Sequence, residues 1–318
     1  MSRLLEQVGE AVRTRHYSLR TEEAYIRWAR QYILSCGKRH PSELGSREVS
    51  AFISHLAVER KVSASTQTQA LSALLFLYRE VLALPIGWVD DVERAKKPKR
   101  LPVVFTREEA RALLSHLRGE AWLMASLLYG SGLRLMECVR LRVKDFDLER
   151  RELTVRDGKG GKDRVTVLPA SPVEPLRRQL EAACALHELG LREGFGHVYL
   201  PYAPARKYPS ADREWCRQYV FPARHRSTDP RAGRGQRHHI AETVLQKAVK
   251  RAFRAAGVAK PGSCRTFRHS FATHMIESGY DIRTVQELLG RASVETTQIY
   301  THVLKRGGRG VTSPLDRE

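Results

Sequence analysis

The chain has 318 residues, 42 % of them hydrophobic, which is enough for two compact cores and too apolar for a globally disordered polymer. Fifty-five Lys and Arg stand against thirty-five Asp and Glu, a formal charge of +20, so the expected partner is a polyanion, with nucleic acid first. The five cysteines, at 36, 138, 184, 216 and 264, are odd in number and form no CxxC pair, which argues against a disulfide framework or a zinc site. The start, MSRLLEQVGE, is polar, and the most apolar stretch, Ala121 to Met136, is broken by Tyr129, Gly130, Ser131 and Arg134. Neither a signal peptide nor a membrane span is visible, and the expected location is the cytoplasm.

In chain order, Leu4, Leu5, Val8 and Val12 come first at helical spacing, followed by Tyr25, Trp28, Ala29, Tyr32 and Ile33. A third helix carries Val49, Phe52, Ile53 and Leu56. A fourth, after Ser63 and Ser65, puts Leu71, Leu74, Leu75, Leu77 and Tyr78 on one apolar face, and Pro85 and Gly87 end the series. These elements form a helical domain over 1–88. A linker over 89–104 carries Lys96, Lys97, Lys99 and Arg100, a run broken by Pro98 and Pro102, and reads either as a solvated connector or as a strap along nucleic-acid phosphates. Thr106 with Glu109 makes a capping box, so a second domain is expected over 105–318.

That domain begins with helices. Leu153 and Val155 then lead into Gly158-Lys159-Gly160-Gly161, and Val165, Val167 and Leu168 lead away, which predicts a hairpin with a lysine in its turn. Helices resume after Pro172. Residues 191–235, rich in Arg, Pro, Tyr and His, show little periodicity and read as an insertion. Further helices are expected over 242–256, 267–278, 282–289 and 294–303, before the Gly-rich tail KRGGRGVTSPLDRE.

Four separated pieces carry chemistry: YGSGLRLMECVRL around Arg134, GKGGK around Lys159, CRTFRHSFATHMIESG around Arg268, and LLGRASVETTQIYTHV ending in Tyr300. Phosphodiester transfer without metal needs a nucleophile, cations on the non-bridging oxygens, and an acid for the departing oxygen. Arginine suits the clamp through its planar, permanently charged fork. A lysine at a hairpin tip can reach a leaving group, and tyrosine can form a phosphotyrosyl bond.

In this order and spacing the four pieces resemble the tyrosine recombinases over nearly the whole chain. The resemblance implies a mainly α fold with a small β region: an N-terminal helical, SAM-like DNA-clamping domain and an α+β catalytic domain. It further implies Arg134 and Arg268 as clamp arginines, Lys159 as the hairpin acid and Tyr300 as the nucleophile, with Glu137 and Asp145 bracing the active-site arginine. No metal or nucleotide cofactor is implied. Where the family usually reads His-x-x-Arg-His, this chain has Arg265-Thr266-Phe267-Arg268-His269, and where it usually has His or Trp after Leu-Leu-Gly, it has Arg291. Both substitutes can donate to phosphate, but arginine exchanges no proton near neutral pH. A slow recombinase, or an inactive DNA-binding homologue, is therefore the alternative.

The segment over about 191–222, with Arg237-His238-His239 and the tail, further resembles the integron integrases, as against phage-type or dimer-resolving recombinases. That likeness implies a double-stranded site joined to a folded single-stranded hairpin site, by four protomers assembled on DNA. Trp215, Tyr219 and Phe221 offer faces for base stacking with Arg213, Arg217 and Arg224 among them, and His238 and His239 could grip an extruded base. The competing reading packs these aromatics onto the domain. A metal site from His225, His238 and His239 is not expected, because no carboxylate or cysteine stands at ligand spacing.

Overall fold

The computed structural model of the protein describes residues 2–87, 102–156, 163–200, 208, 210–230 and 233–290. Two compact units, Met1–Arg100 and Leu101–Glu318, each bury a core of their own. The first contains α1 (Ser2–Thr14), α2 (Leu19–Ser35), α3 (Ser46–Val58) and α4 (Ala64–Phe76). The apolar residues at helical spacing are the buried ones: Leu4, Leu5, Val8 and Val12; Trp28, Ala29, Tyr32 and Ile33; Val49, Phe52, Ile53 and Leu56. Ser18 and Ser63 cap α2 and α4 by accepting from the amides of Thr21 and Thr66.

The fourth apolar face needs correction. The α-helix ends at Phe76, and Leu77–Val81 form a π-helical turn in which the Leu82 amide donates to the Leu77 carbonyl at 3.0 Å. Leu77 and Tyr78 remain buried, whereas Leu75, read as part of the same face, is exposed. The Tyr78 hydroxyl donates to the Leu44 carbonyl at 3.3 Å and accepts from that of Tyr32 at 2.9 Å, which satisfies both buried phenols.

The second unit runs α5 (Arg107–Ser115), α6 (Gly119–Gly130), α7 (Leu135–Val139), β1 (Phe146–Asp147), β2 (Glu152–Val155), β3 (Arg164–Val167) and α8 (Val173–Arg192). After these come β4 (Ser227–Thr228), β5 (Gly235–Gln236), α9 (Glu242–Ala255), α10 (Cys264–Glu277) and α11 (Ile282–Leu289). Thr106 and Glu109 form the expected capping box at α5, with reciprocal bonds of 3.1 and 2.7 Å. Apolar on every side, α6 lies at the centre, with Leu123, Met124, Ala125, Leu127 and Leu128 buried, and packs on α9 and α10. The helix expected from 267 starts earlier, because Ser263 accepts from the Arg265 amide and so places the first turn at Cys264. The helix expected over 294–303 lies outside the described residues. The architecture is mainly helical with two small antiparallel sheets, and among the described residues no helix is long and apolar enough to cross a membrane.

The two strands expected around the GKGGK turn do pair, and their register sorts the side chains between the two faces. Leu153 pairs with Thr166 and Val155 with Arg164, so these four side chains share one face, while β1 adds a strand that the sequence did not announce. Leu153, Val155 and Thr166 are buried; Val165 and Val167, the apolar residues that mark β3, are exposed. The strand therefore turns its arginine inward and its valines outward.

Candidate catalytic site

The inward arginine meets a carboxylate. After α6, Gly132 turns the chain with φ +64°, where a Cβ would lie 2.4 Å from the Phe271 ring, so only glycine fits. Arg134 then stands at the start of α7, and its amide donates to Glu137 Oε2 at 2.8 Å, closing the first turn. The Arg134 guanidinium donates to Glu137 Oε1 at 2.5 Å. Arg164 forks onto the same carboxylate, with Nη1 to Oε1 at 3.1 Å and Nη2 to Oε2 at 2.7 Å. Arg268, from the second turn of α10, approaches Oε2 to 3.6 Å and donates to the carbonyls of Gly132 and Leu289.

Three guanidinium groups from separate elements thus gather around one carboxylate. The Glu137, Arg164 and Arg268 side chains are at least nine-tenths buried, while that of Arg134 is 33 % exposed and so the most open to a ligand. Burial pushes the Glu137 carboxyl up, but the bonds and charge of Arg164, then the amide and charge of Arg134, outweigh it and hold the group at about 2. The carboxylate stays ionised and the cluster keeps a net double positive charge, suited to a doubly negative phosphoryl species.

Of the residues read from the sequence, Arg134, Glu137 and Arg268 come together. Arg265 is exposed on the first turn of α10, one turn before Arg268 and on the same side, while His269 is buried. Lys159, Arg291 and Tyr300 lie outside the described residues, as do Lys96, Lys97, Lys99 and Arg100. Sequence reasoning missed Arg164. Its signal was available, since alternation in a strand that begins Arg-Val-Thr-Val puts Arg164 with Thr166 once Val165 and Val167 are assigned outward.

Asp145 is a correction. It braces neither Arg134 nor Arg268; it accepts from the Arg142 amide at 2.8 Å and from Arg156 Nε at 2.9 Å, tying the turn after α7 to the end of β2. Burial raises its carboxyl above the usual range despite those donors.

The segment over 191–222 needs a second correction. Tyr219 and Phe221 are buried, at 4 % and 0 % exposure, because the chain pairs here with the body of the unit: Arg142 and Tyr219 form an antiparallel bridge and Phe221 joins the main core. Neither ring has a face left for a base. Tyr219 lies under the Arg142 guanidinium, 4.5 Å from its ring centre, and against the rings of His238 and His239. The two histidine rings sit 4.0 Å apart; His239 is buried and His238 half-buried, and both pack against Tyr219. Burial, then the neighbouring His239, pulls His238 down to about 4 and keeps it neutral. Trp215, half-buried and stacked on His187, retains accessible surface, and Arg213 and Arg224 are exposed nearby in sequence. Among the described residues no cluster of His, Cys, Asp or Glu could hold a metal ion.

The geometry can be set beside known proteins. Residues 104–306 match the Phage integrase family, and residues 4–88 match the Phage integrase N-terminal SAM-like domain. An Integrase/recombinase of Escherichia coli is 51 % identical over 314 residues, covering 99 % of this chain and 93 % of that protein. Tyrosine recombinase XerC 2 of Ralstonia nicotianae is 30 % identical over 326 residues, covering 95 % and 82 %. The fold is shared with the XerH site-specific recombinase bound to palindromic difH substrate in a post-cleavage complex, at a TM-score of 0.59 and 21 % identity over 92 % of this chain and 79 % of that one. With both domains matched and a buried carboxylate gathering arginines distant in sequence, the chain belongs to the phage integrase family, the tyrosine recombinases.

Proposed function

We propose that this tyrosine site-specific recombinase cuts and rejoins DNA through Tyr300. Its phenol oxygen attacks a phosphate held by Arg134 and Arg268, with Arg265 and Arg291 as further donors; the bond to the 5′-oxygen breaks, and Lys159 supplies the proton that oxygen needs. The phenol proton passes to water, since neither arginine takes one near neutral pH. The covalent 3′-phosphotyrosine then yields to the 5′-hydroxyl of another strand, which restores the phosphodiester and frees the tyrosine. The observation that carries this reading is the convergence of Arg134 and Arg268, from α7 and α10, on Glu137 at 2.5 and 3.6 Å. That the XerH structure holds its difH substrate after cleavage supports DNA as the partner here.

A nicked suicide duplex tests the chemistry. A covalent protein–DNA adduct should form with the natural chain and be lost in Tyr300→Phe; tight binding with no adduct would refute catalysis and favour the inactive DNA-binding homologue, the reading that Arg265 and Arg291 recommend.

Within the family, the proposed kind is an integron integrase, joining a double-stranded site to a folded single-stranded hairpin as a tetramer on DNA, with Lys96, Lys97, Lys99 and Arg100 along the phosphates. The segment over 191–222 supports this, and its half-buried Trp215 is the residue left to stack on a protruding base. Trp215→Ala should weaken binding of a hairpin with a protruding base by about 5- to 100-fold while leaving duplex affinity within about twofold, as the usual worth of base–aromatic stacking predicts. Equal losses on both substrates would sink the assignment.

A further inference from the structure

Arg164 bonds the site through all three of its guanidinium nitrogens. Besides its two bonds to that carboxylate, Arg164 Nε donates to the Leu288 carbonyl at 2.9 Å. The next carbonyl, that of Leu289, accepts from Arg268. Two arginines therefore hold the last two carbonyls of α11, groups that the helix itself leaves without donors. The chain leaves α11 through Gly290, whose φ is +58° and where a Cβ would lie 2.7 Å from Arg164 Cδ, so the arginine stem runs flush against that turn.

Arg164 is buried to 7 % exposure, and its donors face the carboxylate and the carbonyl, so it is poorly placed to touch a substrate phosphate. What it can do is set positions. A carboxylate bonded on both oxygens by a second guanidinium cannot rotate away from Arg134, and a helix end anchored to the same side chain cannot shift without moving that carboxylate. β3, α7 and α11 thus meet in one side chain.

We propose that Arg164 is a positioning residue of the recombination site, locking Glu137 and with it the Arg134 fork to the end of α11. The proposal rests on the reading of Arg134 and Arg268 as the phosphate clamp. Arginine is required because only a planar fork reaches two carboxylate oxygens and a carbonyl together; lysine keeps the charge and loses that geometry. Displacing a clamp arginine by about an ångström costs on the order of a hundredfold in rate.

The test measures the single-turnover rate of covalent adduct on the nicked suicide duplex, at saturating protein, together with affinity for an intact duplex. Arg164→Met should bind within about threefold of the natural chain and form adduct on the order of a hundredfold more slowly. A pH series separates positioning from general damage. Without Arg164 the Glu137 carboxyl loses its largest lowering partner and rises, so the variant should gain an acid limb at higher pH than any the natural chain shows, and adding Glu137→Gln should remove that limb. Arg164→Lys, the milder change, should remain at least about tenfold slow, and it decides the matter if the methionine variant does not fold. Natural rates in Arg164→Lys or Arg164→Met, or equal losses of rate and binding with no acid limb, would overturn the proposal. If the natural chain forms no adduct, the reading of the clamp fails and this one with it; adduct in the natural chain at an unchanged rate in the variants overturns this one alone.

Discussion

Glu137→Gln keeps the shape of the side chain and removes its charge, leaving the three guanidinium groups of Arg134, Arg164 and Arg268 without their common counter-ion. A carboxyl held at about 2, where 4.5 is ordinary, contributes about 3 kcal/mol to folding near neutral pH. Removing one partner from a buried ion pair gives a similar figure, about 3–5 kcal/mol. For a domain of roughly this size each kcal/mol lowers Tm by about 2–4 °C, so the variant's second unit should melt about 6–12 °C lower. Because the folded value lies below the unfolded one, this stability is fully present above about pH 4.5 and is lost as the pH falls toward about 2. Thermal or urea unfolding across that range should show the gap between the two proteins closing with acid. A destabilisation below about 1 kcal/mol at neutral pH, or a gap independent of pH, would refute the claim that Glu137 holds the cluster together.

Asp145→Asn should behave differently: burial already disfavours its charge, so the loss is one hydrogen bond, about 1 kcal/mol by urea unfolding, and a larger cost would mean Arg156 matters more than the geometry indicates. Gly132→Ala should cost about 2–4 kcal/mol, from the left-handed backbone and the collision with Phe271, and lower the Tm of the second unit; an unchanged Tm would show that the turn relaxes freely. Tyr32→Phe in the first unit removes one member of the buried phenol pair while Tyr78 keeps its bond to Leu44, so about 1 kcal/mol should be lost, read by calorimetry of that unit.

The helices were readable because burial repeats at the helical period, and Leu4, Val8 and Val12, or Val49, Phe52 and Ile53, have no other face to share. The π turn at Leu77 was not, since the same apolar residues satisfy either continuation until the partner of the Tyr78 hydroxyl is known. Arg134 and Arg268 could be named from their motifs. Asp145 could not be assigned that way, because its partner Arg156 sits eleven positions on and meets it only across the sheet. Tyr219 and Phe221 misled for a physical reason: an aromatic among arginines has the same composition whether it stacks on a base or lies under a guanidinium, and here Arg142 covers Tyr219. Arg164 was hidden by the valines beside it, which mark a strand without saying which face is inward.

Under the proposed mechanism, the cluster would also account for how a site with arginine at 265 and 291 stays compatible with strand transfer. Attack on a phosphodiester turns a single negative charge into a double one, and donors already fixed in place stabilise the added charge without reorganising. Arg268 is fixed by two backbone carbonyls, and Arg134 by a carboxylate that Arg164 in turn immobilises. Glu137 weakens the pull on the ground-state phosphate by its own charge, but it leaves a net double positive charge that matches the transition state more closely than the substrate. In the proposed mechanism the arginine at 265, where the family usually has histidine, would add to that electrostatic share and carry no proton. On the proposed mechanism the balance of the chemistry would move from acid–base transfer toward preorganised charge, and the residues that hold the guanidinium groups still would become as consequential as the groups themselves.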